Sequence, residues 1–185
     1  MTKKVRNIII LVVVVVIILI GGGIGVKKYV DNQYKTKMNT AVLAMLNGAT
    51  EAETVCNVMK SAWYTTIYQG FYIINGTTCY NFDDTIIAEK KLFESNGKYE
   101  NIRKSKNTVE AIIGKMGNAS SSNQRQYDDM MKIYSNYTKF VNMALNPSGS
   151  LTSFSADFKT IDSDINADIN SYNMRYKKNS VANNN

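Results

Sequence analysis

The chain has 185 residues, with 22 lysines and arginines, 15 aspartates and glutamates, and no histidine. The lack of histidine excludes histidine-based catalytic triads, histidine-assisted thiol catalysis and histidine metal sites. No phosphate-binding loop is present, and no spacing of carboxylates or lysines selects a catalytic group. We therefore expect a protein that is not an enzyme and that holds neither a cofactor nor a metal.

The formal charge of +7 is concentrated near the N-terminus. Residues 1–26 contribute +3, residues 27–37 contribute another +3, and the remainder contributes only +1. Lysines beside a membrane favour anionic headgroups, so this charge indicates a lipid bilayer as a partner. Because no basic stripe interleaved with exposed aromatics occurs elsewhere, we expect no nucleic-acid partner.

Residues 8–26 form a run without a charged side chain, rich in Ile, Val and Leu. At about 1.5 Å per residue the run reaches roughly 28 Å, close to the hydrocarbon thickness of a bilayer. It therefore predicts a single transmembrane helix. The side chains predicted to flank the membrane are Lys3, Lys4, Arg6, Lys27 and Lys28.

The orientation of this helix follows less directly. Residues 1–7 form a short basic tail that is easily retained in the cytoplasm, and an even pair of cysteines suits an oxidising compartment. We therefore expect a signal anchor in the cell membrane, with the rest of the chain outside. A cleaved signal peptide is the alternative, although no A-x-A pattern is present.

Gly21 and Gly25 form a G-x-x-x-G pattern near the end of the predicted span. This pattern lets two membrane helices approach closely, so it raises a homodimer through these glycines as a hypothesis. The alternative is that the glycines only mark where the helix leaves the membrane.

After the span, apolar residues at helical spacing predict a juxtamembrane stalk over residues 27–49. Asn47-Gly48 is a candidate break, with a continuous helix as the alternative. A second helix is predicted from Glu51 towards Ile74, because its helical periodicity outweighs the β-forming residues in its later half. Asn75-Gly76 then predicts a turn.

Three further helical segments complete the chain. One begins at Asn81 and has a candidate interruption at Asn96-Gly97; a polar linker over residues 117–123 leads to the next, and the last has the clearest stripe, from Leu151 to Tyr176. We predict an all-α chain: a transmembrane helix, then an antiparallel bundle of about four to five helices over residues 50–178. Residues 179–185 are expected to be disordered.

Cys56 and Cys79 are the two cysteines of the chain. We predict a disulfide between them, which requires that the intervening helix end early, near Gly70, so that the chain doubles back. The alternatives are a pair of separate, packed thiols and a functional thiol.

Residues 63–82 include seven aromatic side chains. Core packing is the default interpretation, and a partner surface or ligand cleft is the alternative, because tyrosine combines contact area with a polar tip. The candidate binding residues are Trp63, Tyr64, Tyr68, Phe71, Tyr72 and Tyr80.

Asp162, Asp164, Asn166 and Asp168 have the spacing of a calcium loop, but Ala167 stands where that loop needs glycine. We interpret them as the solvated face of a helix.

The functional hypothesis is a membrane-anchored, extracytoplasmic bundle that binds another membrane or envelope protein. The alternative is a small-ligand sensing or carrier domain with a cleft near Trp63.

Overall fold

The computed structural model describes the backbone of residues 3–176 and the side chains of residues 28–176. The predicted span 8–26, the flanking side chains before Lys28, the Gly21 and Gly25 pair and the tail 179–185 therefore lie outside the residues whose side chains are described. Within residues 28–176, no helix contains an apolar stretch long enough to cross a membrane. The elements in chain order are α1 (Lys3–Gln69), β1 (Tyr72–Ile74), β2 (Thr77–Cys79), α2 (Phe82–Ser95), α3 (Lys98–Gly114), α4 (Gln124–Leu145) and α5 (Leu151–Tyr176).

Helix α1 runs the length of the bundle, and α2 and α3 return along it in succession. Near the far end of α1, the Thr66 hydroxyl lies 2.9 Å from that of Thr85 at the start of α2. Near the other end of the bundle, the Tyr34 hydroxyl of α1 donates to the carbonyl of Gly117, just after α3, at 3.2 Å. Helices α2 and α3 together therefore run antiparallel to α1, with an interruption at Asn96-Gly97, where Gly97 has φ +79°. The predicted interruption is confirmed.

Helix α4 runs parallel to α1, and α5 packs beside α4 in the antiparallel direction. Asn123, just before α4, donates to Asp31 of α1 at 3.1 Å. Gln126 near the start of α4 donates to the Tyr172 hydroxyl near the end of α5 at 2.8 Å. The described chain is thus an up-down-up-down bundle, which confirms the predicted antiparallel helical bundle.

The expected stalk is part of this bundle. From Tyr34 onwards, α1 buries one or two side chains per turn in the common core, and Met38, Ala41 and Met45 are fully enclosed. Helices α3, α4 and α5 all pack against this segment. The bundle therefore begins near Asp31 rather than at residue 50, because the apolar stripe in residues 27–49 packs against other helices and is not exposed to solvent.

Gly48 does not break α1; it allows the helices to approach closely. A Cβ atom at Gly48 would lie 2.6 Å from the Tyr137 hydroxyl of α4 and against the Ser105 hydroxyl of α3. Those two hydroxyls are 2.9 Å apart, and Ser105 also donates to the Ala44 carbonyl at 3.1 Å. The continuous-helix alternative is therefore correct, and the glycine is explained by packing.

Replacing Gly48 with alanine is expected to lower the free energy of unfolding by about 1–3 kcal/mol, because the added methyl displaces Tyr137 and Ser105. The matched control is Gly114→Ala at the end of α3, where an added Cβ meets no atom within 4 Å. There the gain in helix propensity should leave stability unchanged or raise it by up to about 1 kcal/mol. Urea denaturation measures both, and equal stability of the two variants would contradict the close crossing.

The second predicted helix ends earlier than expected. Helix α1 stops at Gln69, Gly70 has φ +82°, and residues 72–79 form a two-stranded antiparallel hairpin. Asn75 and Gly76 both have positive φ, at +48° and +77°, which makes a type I′ turn that matches the twist of a hairpin. Helical periodicity was therefore wrong for residues 71–74, where Asn-Gly and the β-forming residues decide the structure. The predicted turn is confirmed.

The later helix boundaries agree closely with the prediction. Asn81 caps α2, accepting from the Asp84 backbone N–H at 2.9 Å, and Asp83 and Asp84 lie in the first turn. Helix α5 covers residues 151–176 as the apolar stripe indicates. Strong periodicity and a capping residue are local signals, so they fix these elements without tertiary information.

Candidate binding surface

Apolar side chains are exposed at the end of the bundle where α1 gives way to the hairpin. We define the tip patch as Tyr64, Ile67, Tyr68, Phe71, Ile73 and Tyr80, whose exposed fractions range from 43% to 75%. At about 150–250 Å² per aromatic side chain, its four aromatic residues alone leave roughly 400–600 Å² in water. The largest apolar patch on a typical soluble monomer covers about 300–600 Å² and is often functional. The tip patch is therefore large enough to be a candidate interaction surface.

The α1 part of the patch follows a helical stripe. Tyr64, Ile67 and Tyr68 stand at i, i+3 and i+4, and the rings of Tyr64 and Tyr68 are 4.6 Å apart at their centroids. Helical periodicity places Ile67 and Phe71 on the same face as Trp63, but Ile67 is 50% exposed and Phe71 is 43% exposed. No described helix covers them because the chain leaves α1 at Gly70 and α2 packs on a different side of α1, through Thr66.

The hairpin contributes its outer face. Side chains alternate along a strand, so Ile74 and Cys79 point inward and are buried, while Ile73 and Thr78 point outward and are exposed. The same alternation places Phe71 and Tyr80 on the outer side of the hairpin. Sequence analysis missed Ile73 because the segment was assigned to a helix; the Asn-Gly turn was the signal that could have revealed it.

Trp63 belongs to the core. Its ring stacks on Phe82 and meets Phe154 edge-on, each with 4.7 Å between centroids, and only 1% of the residue is exposed. It lies about 100° around the helix from Tyr64 and faces Phe82 and Phe154, which cover it. Of the six predicted binding residues, Tyr64, Tyr68, Phe71 and Tyr80 are exposed, Tyr72 is half-buried and Trp63 is enclosed.

Tyr72 fastens the hairpin to α2. Its hydroxyl donates to Glu89 Oε1 at 2.9 Å, and Glu89 is 1% exposed, with Oε2 making no hydrogen bond to any described residue. Burial raises the pKa of Glu89, and the bond from Tyr72 only partly opposes this. Burial, with the bond to Glu89, raises the pKa of Tyr72 to about 12. The hairpin is therefore held by a carboxyl group whose pKa lies above its ordinary value.

Glu89 predicts a pH dependence with a definite sign. Because its pKa is higher in the folded chain than the ordinary value of 4.5, the folded state holds the proton more tightly, and stability falls as pH rises from about 4.5 through the folded pKa. Glu89→Gln keeps an acceptor for Tyr72 but carries no titrating proton. We expect the variant to gain stability relative to the wild type between pH 4.5 and pH 8. Urea midpoints measured across this range test it, and a constant difference would contradict the assignment.

The predicted disulfide is not formed: Cys56 and Cys79 are separate, buried thiols. Cys56 lies well before the end of α1, about 20 Å along the axis from Gln69, and Cys79 pairs with Tyr72 just beyond that end. The hairpin is too short to carry Cys79 back to Cys56. Burial, with a smaller contribution from Asp162, raises the pKa of the Cys56 thiol to about 12, which makes it unreactive.

A groove of about 510 Å³ runs between the hairpin and α2. Its hairpin side is formed by Ile74, Asn75 and all three residues of β2. Its helix side is formed by Asp84, Ile87, Ala88, Lys91, Leu92 and Ser95. The volume lies within the range of ligand sites, but the groove is separate from Trp63, where the cleft was predicted.

The residues with calcium-loop spacing lie on α5. Asp168 accepts from Lys132 at 2.7 Å and from Asn136 at 3.0 Å, both on α4, and Asn166 donates to Asp162 at 3.0 Å. These groups stay in a regular helix, so they cannot wrap around one ion as a calcium loop does. Their side chains serve contacts between and within helices.

Comparison of the chain with protein-family models, with curated proteins and with solved structures finds no significant match. We therefore infer the function of the protein from the geometry and chemistry of the tip patch and of the adjacent groove.

Proposed function

We propose that this protein is a single-pass membrane protein whose helical bundle binds another macromolecule, a membrane or envelope protein, through the tip patch. The observation that carries the proposal is the exposure of six apolar side chains at one end of the bundle. Patches of this size are often functional.

The composition of the tip matches the centre of a protein interface. Residues 61–82 contain no Asp, Glu, Lys or Arg. Interface centres are depleted in charge and enriched in aromatic residues, and tyrosine is frequent among the residues whose truncation costs most binding energy. A standard interface buries about 800 Å² on each partner, so the aromatic side chains would supply half or more of one side.

The anchor is proposed from the apolar run 8–26 and its flanking basic residues, with the short tail 1–7 in the cytoplasm. After the proposed span, helix α1 continues from residue 26 to Gln69, a length of about 65 Å. Near the start of this part, Asp31 accepts hydrogen bonds from Ser120, Ser122 and Asn123. These contacts fix the bundle to the part of α1 that follows the span. The tip patch would then face away from the bilayer, accessible to a partner.

A small-ligand domain is the second candidate, supported by the volume of the groove between the hairpin and α2. It is less favoured because the groove is open along the backbone edge of β2 and the tip patch has no role in it. A thermal shift caused by small ligands, with no stoichiometric protein co-purified from detergent, would support this second candidate.

Replacing both Tyr64 and Tyr68 with alanine is expected to weaken partner binding at least about tenfold, because each ring loses its contact area at the interface. The fold should persist, since the two side chains are 56% and 68% exposed. The measurements are the amount of partner that co-purifies with the full-length variant from detergent and the melting temperature of the variant itself.

The matched control for this double variant is Tyr29→Ala. Tyr29 is 65% exposed but lies near the start of the described part of α1, where its hydroxyl accepts from Gln33. Its replacement should leave co-purification unchanged. An equal loss of partner in both variants, or a large loss of thermal stability in Tyr64→Ala/Tyr68→Ala, would contradict the proposal.

A further inference from the structure

The hairpin leaves one strand edge unpaired. In a two-residue type I′ hairpin the residues beside the turn, Ile74 and Thr77, form a hydrogen-bonded pair, so the next pair, Ile73 and Thr78, does not exchange backbone bonds. The N–H and C=O groups of Thr78 therefore point away from β1. No backbone bond from another described element reaches them.

This free edge borders the groove described above. All three residues of β2 line the groove, whereas β1 contributes only Ile74. The opposite wall carries apolar side chains of α2, among them Ile87, which is 51% exposed. The groove thus combines a backbone donor and acceptor on one side with apolar contact area on the other. These are the two requirements for binding an extended peptide by strand addition.

Charge further defines the occupant. Lys91 lines the groove, and Lys90 and Lys91 both line the adjoining surface next to Ile87. The ion pairs of the described residues involve neither lysine, and nearby Glu94 is already paired with Arg103. A carboxylate on the occupant would complete this end of the groove.

We propose that the groove between β2 and α2 binds an extended segment of the partner protein, which adds to β2 as a third strand. The segment pairs its backbone with Thr78, places alternate apolar side chains against Ile87 and Leu92, and carries an acidic residue towards Lys91. The ladder is about 10 Å long, the length of β2. This inference rests on the proposed function, because it describes how the partner of the tip patch engages the same end of the bundle.

The test uses the full chain in lipid nanodiscs and a displayed library of random heptapeptides. Thr78→Pro removes the outward N–H without breaking a bond between β1 and β2, and proline is tolerated at such edge positions. The matched control Thr78→Val keeps the N–H and removes only the hydroxyl. Enriched peptides are expected to alternate apolar residues and to include Asp or Glu. They should bind wild type and Thr78→Val equally and Thr78→Pro at least about tenfold more weakly.

A second measurement does not depend on the proline variant. Binding of an enriched peptide to the wild-type chain should slow amide hydrogen exchange at Thr78 at least about tenfold and leave Ile73, on the opposite edge, unchanged. Strand addition is overturned if no peptide is enriched, if the enriched peptides bind Thr78→Pro as well as wild type, or if the Thr78 amide gains no protection.

The two proposals fail in different ways. If Tyr64→Ala/Tyr68→Ala releases the co-purified partner and Thr78→Pro does not, the tip patch binds the partner and strand addition is wrong. If neither variant releases it, the proposed function itself is wrong.

Discussion

The close crossing at Gly48 is the constraint on which the bundle depends. Only a residue without a side chain lets α1 pass Ser105 of α3 and Tyr137 of α4 at this distance, and the three helices exchange hydrogen bonds there. A bend in α1 at Gly48 would destroy the alignment of the segment around Tyr34 with the segment around Trp63. Because α1 stays helical there, one continuous helix contacts every other described helix and spans the described bundle.

That rigid helix also determines where the binding surface lies. The contacts of Asp31 fix the start of the described part of α1 to the loop before α4, and the stacking of Trp63 on Phe82 and its edge-on contact with Phe154 fix the far part. Beyond Trp63 no described helix covers the exposed side of α1. The last turns of α1 and the hairpin therefore present apolar side chains that the core does not use. The buried Glu89 holds the hairpin in place through Tyr72.

The sequence predicted the helical elements well where the signals were local. The stripe of α5, the start of α2 at Asn81 and the interruption at Asn96-Gly97 were all predicted, because periodicity and turn signals act within a few residues. The sequence could not show whether residues 27–49 form a stalk or a packed helix, or whether α1 breaks at Gly48, since a helix packed by α3 and α4 has the same apolar stripe as a free one. Which of Trp63 and Tyr64 is buried depends on the position of α2, which no local sequence pattern encodes.

The most direct test of the account is photo-crosslinking in intact cells, with p-benzoylphenylalanine placed either at Tyr68 or at Tyr29. The two residues are similarly exposed, at 68% and 65%, but lie near opposite ends of residues 28–69, the part of α1 whose side chains are described. We predict that the probe at Tyr68 crosslinks to one discrete protein and that the probe at Tyr29, close to the predicted span, crosslinks to lipid. Crosslinking of the same protein from both positions, or of none from Tyr68, would contradict a binding surface at the tip.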